Sequence, residues 1–134
     1  MSKRSLIVLS ICLVVGAGIA LYVWADNCCS GDALCNGGVV AGVNSCVFTF
    51  SVYHNLVDPP HDVYLYIKKD GDPAFVPHLT EIGESPQPLC VLHVVALELD
   101  ENSTYYYYFQ CEDCDSRDPD GSLPYSLMTG DCGG

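Results

Sequence analysis

Nine cysteines, four histidines and a run of carboxylates are the side chains best equipped for chemistry in this 134-residue sequence. Cys12 lies inside an uncharged run, Leu6 to Ala25, and reads as a small packing residue. Eight others follow: Cys28, Cys29, Cys35, Cys46, Cys90, Cys111, Cys114 and Cys132. An even number in an exported domain reads as a framework of four disulfides. Cys111-Glu112-Asp113-Cys114 has the spacing of a redox pair. Its carboxylates, however, raise thiol pKa values, and no thioredoxin-like βαβ pattern accompanies it. The same pair with His54, His61 or Cys28-Cys29 offers zinc donors, although an oxidising compartment favours bridges over metal thiolates.

The carboxylates cluster next to that pair. Glu112, Asp113, Asp115, Asp118 and Asp120 fall within nine residues. Ser116 in the first ligand position and Leu127 in place of the bidentate glutamate exclude a helical calcium hand. A looser calcium site built from Asp113, Asp115, Asp118 and Asp120 with oxygens of the loop His54 to Asp62 stays open, beside the plainer reading of a solvated acidic loop. His78, in a proline-bounded segment, and His93, inside an apolar run, read as structural. There is no Ser/His/Asp elbow, no glycine-rich phosphate loop and no HExxH, so a non-enzymatic role is expected.

Charge and hydropathy place these groups. After residue 25 there are three basic side chains against seventeen acidic ones, a surface that repels nucleic acid. The run Leu6 to Ala25 follows Lys3-Arg4 and ends at Tyr22 and Trp24, the pattern of a membrane-spanning helix with its N-terminus in the cytoplasm. A cleavable secretory signal ending before Asp26 is the alternative. The expected organisation is an anchor or signal over 1–25, a Cys/Gly-rich linker over 26–38 and a folded domain over 39–134. The domain then lies outside the cell membrane, or is secreted if the first segment is removed.

The folded part reads as all-β, with short β-branched or aromatic runs and turn residues every 8 to 15 positions. The expected strands are Val39 to Ala41, Cys46 to Tyr53, Val63 to Ile67, a weaker run Ala74 to Ile82 broken by Pro77, Leu89 to Leu99, Tyr105 to Cys111 and Ser122 to Thr129. Lys69-Asp70-Gly71-Asp72 supplies a hairpin turn. Cys46, Phe48, Phe50 and Val52 alternate onto one face, which predicts core. Leu89 to Leu99 is apolar on both faces and reads as a central, covered strand. Pro124 marks the last run as an edge. Asn102-Ser-Thr104 is a glycosylation sequon in a strand connection.

Seven such strands describe a Greek-key sandwich. The stretch Leu99-x-x-x-Ser103-x-Tyr105-x-Tyr107 and the closing Tyr-Ser-Leu-Met-Thr-Gly run resemble the immunoglobulin-like and fibronectin type III superfamily, over about 95 residues. The cysteine placement of antibody domains is absent, and the sole tryptophan is Trp24. The resemblance implies a scaffold for display or binding. Its topology sets the third, sixth and seventh strands in one sheet, with Tyr64, Tyr66, Tyr106 and Tyr108 side by side on the outer face. Alternating strand direction puts Cys46 and Cys132 together at one end, and Cys28, Cys29, Cys35, Cys90, Cys111 and Cys114 at the other. A Cys46–Cys132 bridge is therefore expected, and the pairing of the other six stays open. The expected function is binding or adhesion at the cell surface, to a protein or glycan partner, through the tyrosine face. The alternative is a structural subunit of a surface filament or membrane complex, packing against copies of itself.

Overall fold

The computed structural model describes residues 33–43, 45–57, 59–87 and 89–132. The expected anchor, Cys28, Cys29 and most of the linker lie outside the described residues. Among the described residues no helix is long and apolar enough to cross a membrane.

The described chain is all-β. Its strands are β1 (Cys35–Ala41), β2 (Val47–Asn55), β3 (Val63–Lys69), β4 (Val76–Leu79), β5 (Glu81–Gly83), β6 (Cys90–Glu98), β7 (Thr104–Cys111), β8 (Arg117–Asp118) and β9 (Tyr125–Met128). They form two antiparallel sheets, one ordered β1-β2-β6-β5 and the other β4-β3-β7-β8. The far edge of β7 is shared end to end, by β8 at Phe109–Gln110 and by β9 at Thr104–Tyr107.

The two-residue period of the sequence becomes the interior. Phe48, Phe50 and Val52 of β2 and Val63, Leu65 and Ile67 of β3 are buried, as are Tyr105, Tyr107 and Phe109 of β7. These inward residues of both sheets form one core, a sandwich-like arrangement. Phe50 of one sheet meets Tyr107 of the other edge-on, with ring centroids 4.9 Å apart.

Several strands depart from the sequence reading. The run Ala74 to Ile82 is two strands in two sheets: β4 pairs with β3, β5 with β6. Thr80 sits at the crossover, where its backbone N–H and its hydroxyl both donate to the Val63 carbonyl, at 3.0 and 2.7 Å. Pro77 is tolerated because β4 is an edge strand. β6 is central in its sheet, yet Leu92 and Val94 are only half-buried and Ala96 is exposed. A two-layer fold covers one face of each sheet, so the apolar residues on the other stay open. β1 begins at Cys35, inside the expected linker, with an irregular step between Cys35 and Gly38. There Gly37 runs so close to the other sheet that a Cβ would fall 2.6 Å from Asp118 Oδ2 and 2.9 Å from the Phe109 ring. The Lys69–Asp72 turn closes with Asp72 N–H donating to the Lys69 carbonyl at 2.9 Å, and Gly71 takes the left-handed position at φ 97°.

At the start of β7 the Tyr105 hydroxyl accepts from the Asp100 backbone N–H at 2.9 Å, tying strand to preceding turn. Replacing Tyr105 with Phe should cost about 1 kcal/mol, because the turn amide loses its acceptor. Chemical denaturation would register this as a lower midpoint with an unchanged slope.

Candidate functional site

The outer face of β3 and β7 carries the first group. Register sets Tyr66 directly opposite Tyr108, and their rings stack at 5.0 Å and 7°. Tyr64 lies beside Tyr66, with centroids 6.4 Å apart. Tyr106 shares the face one step along β7, opposite Lys68 and Ser126, outside the stack. Phe75, from the segment ahead of β4, meets Tyr108 edge-on at 5.1 Å. Arg117 of β8 places its guanidinium 3.9 Å from the Tyr108 ring centre, and the Lys68 ammonium lies 5.2 Å from that of Phe75. The sequence reading did not include Phe75, Lys68 and Arg117: Phe75 falls at the start of the expected run Ala74 to Ile82 but lies ahead of β4, and Arg117 lies in what the sequence shows as an acidic loop. The Tyr64 phenol is held above its ordinary pKa, chiefly by the Glu112 carboxylate, then by desolvation and by Asp62.

The acidic loop is more ordered than its composition implies. Asp118 faces inward as a strap, accepting from Gly37 N–H at 2.7 Å through Oδ2 and from the Tyr125 hydroxyl at 2.7 Å through Oδ1. Burial, then that bond to Asp118, pushes the Tyr125 phenol up. Asp113 lies 3.8 Å from His61 Nδ1. Asp115 and Asp120 are in the same loop, and the sets of described side chains close enough to share an ion do not include these four carboxylates. Asp118→Asn should destabilise the fold by about 1 kcal/mol, since the bonds to Gly37 and Tyr125 then lose the charge of their acceptor. Thermal unfolding in excess calcium and in chelator would read the strap separately from any ion, which would raise stability by mass action.

The second group closes one end of the interior. The inward alternation of β2 continues past Val52 to His54, and that of β7 past Phe109 to Cys111. Both strands thus end their core face in a potential metal donor. His54 and Cys111 are each 1% exposed. Cys111 is bridged to Cys114, with Cα atoms 5.5 Å apart, and Cys114 Sγ lies 3.6 Å from His54 Nε2. The loops approach as well: Glu112 N–H donates to the Asp62 carbonyl at 2.9 Å, and the His61 ring lies 5.5 Å from that of His54. His93 of β6, 1% exposed, completes the cluster at 6.4 Å from His54. Its Nδ1 is 3.4 Å from the Thr80 hydroxyl and its Nε2 has no hydrogen-bond partner. The sequence offers His54 among the possible companions of the Cys111–Cys114 pair, and the two-residue period of β2 carried on to His54 places that ring on the core face.

A second bridge lies at the opposite end. Cys46, ahead of β2, is joined to Cys132, after β9, with Cα atoms 5.0 Å apart. Cys35 and Cys90 are half-cystines too. No protein-family model, curated protein or solved structure matches the chain.

Proposed function

We propose that this chain is an exported, membrane-anchored binding module of the immunoglobulin-like type that engages a protein or glycan partner through the outer face of β3 and β7. The strand order supports that type: β1-β2-β6-β5 against β4-β3-β7, with β9 on the far side of β7, parallels the A-B-E-D and C′-C-F-G sheets. The Tyr105 hydroxyl bond to the preceding turn matches the tyrosine corner of that superfamily. The uncharged run Leu6 to Ala25 behind Lys3-Arg4 supports the anchor.

One observation carries the binding role, the composition of the face. Tyr66, Tyr108 and Phe75 pack as a group, with Arg117 and Lys68 against it. These are two of the three basic residues after residue 25, drawn onto one aromatic face of an otherwise acidic domain. Aromatic rings beside arginine are the composition that dominates binding energy at protein interfaces. Stacked tyrosines also present flat apolar area to sugar rings.

Truncating Tyr66 or Tyr108 to Ala should each weaken partner binding by more than about 1 kcal/mol. The measurement is cross-linking on intact cells followed by pull-down, with melting curves of the purified variants alongside. Undiminished capture by both variants would end this reading, and so would a loss of capture that only tracks a loss of folding. Sizing of the detergent-extracted protein separates the alternative, because a filament subunit would run as an ordered polymer.

A further inference from the structure

We infer that His54, Cys111 and Cys114 form a zinc site that is shut while the Cys111–Cys114 bridge is closed and opens on its reduction. The donor atoms of the three side chains already lie within 4.8 Å of one another. In a tetrahedral zinc site, Zn–S bonds of about 2.3 Å and Zn–N bonds of about 2.0–2.1 Å place sulfur and nitrogen about 3.5 Å apart. Cys114 Sγ and His54 Nε2 are 3.6 Å apart in the bridged protein. Breaking the sulfur–sulfur bond is the step that lets a metal enter between these donors.

Two further features fit a metal better than a staple. The bridge spans a sequence separation of 3, against 86 for Cys46–Cys132, so it restrains the unfolded chain far less. Glu112 and Asp113, inside the motif, disfavour a free nucleophilic thiolate yet favour a bound cation. Asp113 also lies 3.8 Å from His61, whose ring packs against His54, so this pair can steady the ligand from outside. Two sulfurs and an imidazole suit zinc among the divalent metals and leave the fourth position to water or a substrate donor.

The chemistry balances with a dithiol reductant. Its two thiols give two electrons and two protons: the Cys111–Cys114 S–S bond breaks, two S–H bonds form, and the reductant becomes a disulfide. Zinc then takes both sulfurs as thiolates, releasing two protons to solvent, while His54 donates its Nε2 lone pair and carries its proton on Nδ1.

The test uses the full-length chain in detergent, treated with a phosphine reductant until alkylation and peptide mapping show Cys111 and Cys114 open. Cobalt(II) is the probe, with zinc as competitor. The expected result is one cobalt per chain after reduction and none before, with the visible bands of a tetrahedral ion and a thiolate charge-transfer band, both abolished by zinc. Cys111→Ser with Cys114→Ser should remove the signal, and His54→Gln should weaken binding at least tenfold. X-ray absorption on the zinc-loaded wild type covers the case of a variant that fails to fold, and two sulfur ligands per zinc are expected. No uptake by the reduced protein, a signal unchanged in the variants, a different sulfur count, or a bridge that opens only on global unfolding would each overturn the site.

Discussion

Replacing Cys46 and Cys132 together with serine should lower unfolding free energy by about 4 kcal/mol, which for a domain near 100 residues moves the melting temperature down by about 20 °C. The bridge closes a loop with a sequence separation of 86. Most of its effect therefore acts on the unfolded chain, whose freedom it restricts. The folded end keeps other ties. Thr129 donates through its hydroxyl to the Asp100 carbonyl at 2.7 Å, and Ser103 N–H donates back to that hydroxyl at 2.8 Å. Asn102 N–H reaches the Gly130 carbonyl at 3.0 Å. The variant should thus keep its native spectrum while unfolding at lower urea. A loss below about 1 kcal/mol would mean that the unfolded chain is already compact enough to hold these ends together.

His93 should make the oxidised protein acid-sensitive. Burial first, then the neighbouring His54, pushes its pKa from 6.5 down to about 4; His61 adds to this and Asp62 opposes it. Because the folded value lies below the unfolded one, the native state holds a neutral ring. As pH falls from 6.5 towards 4, the unfolded chain takes up a proton that the native chain refuses, and stability declines. Below about 4 the native ring protonates too and this contribution levels off. The loss amounts to about 2–3 kcal/mol after allowance for partial screening. Carboxylates titrate in the same window, so the comparison is with His93→Leu. The stability difference between pH 7 and pH 4 should shrink by about 2 kcal/mol in that variant. Parallel pH profiles for the two proteins would show that the ring is charged in the native state.

The all-β class, the Cys46–Tyr53 and Tyr105–Cys111 alternations and the Lys69–Asp72 turn were legible because each is written in local periodicity or backbone freedom. A period of two puts Phe48, Phe50 and Val52 on one face whatever the neighbours are, and Gly71 accepts a positive φ at little cost. The alternating strand directions of the expected sandwich topology, rather than any local pattern, put Cys46 and Cys132 at one end, where they are joined. What no local pattern encodes is which edge a short strand chooses. The run Ala74 to Ile82 divides between sheets because Thr80 finds the Val63 carbonyl, a partner seventeen residues away. Asp118 turns inward because Gly37 offers an amide across eighty-one residues, and Arg117 beside it then faces Tyr108. His54 lies on a separate stretch of sequence from the Cys111–Cys114 pair, and His54 and Cys111 stand at the ends of apolar faces. The sequence offers His54, His61 and Cys28-Cys29 alike as companions of that pair; packing the two sheets face to face decides for His54, because it sets those ends side by side.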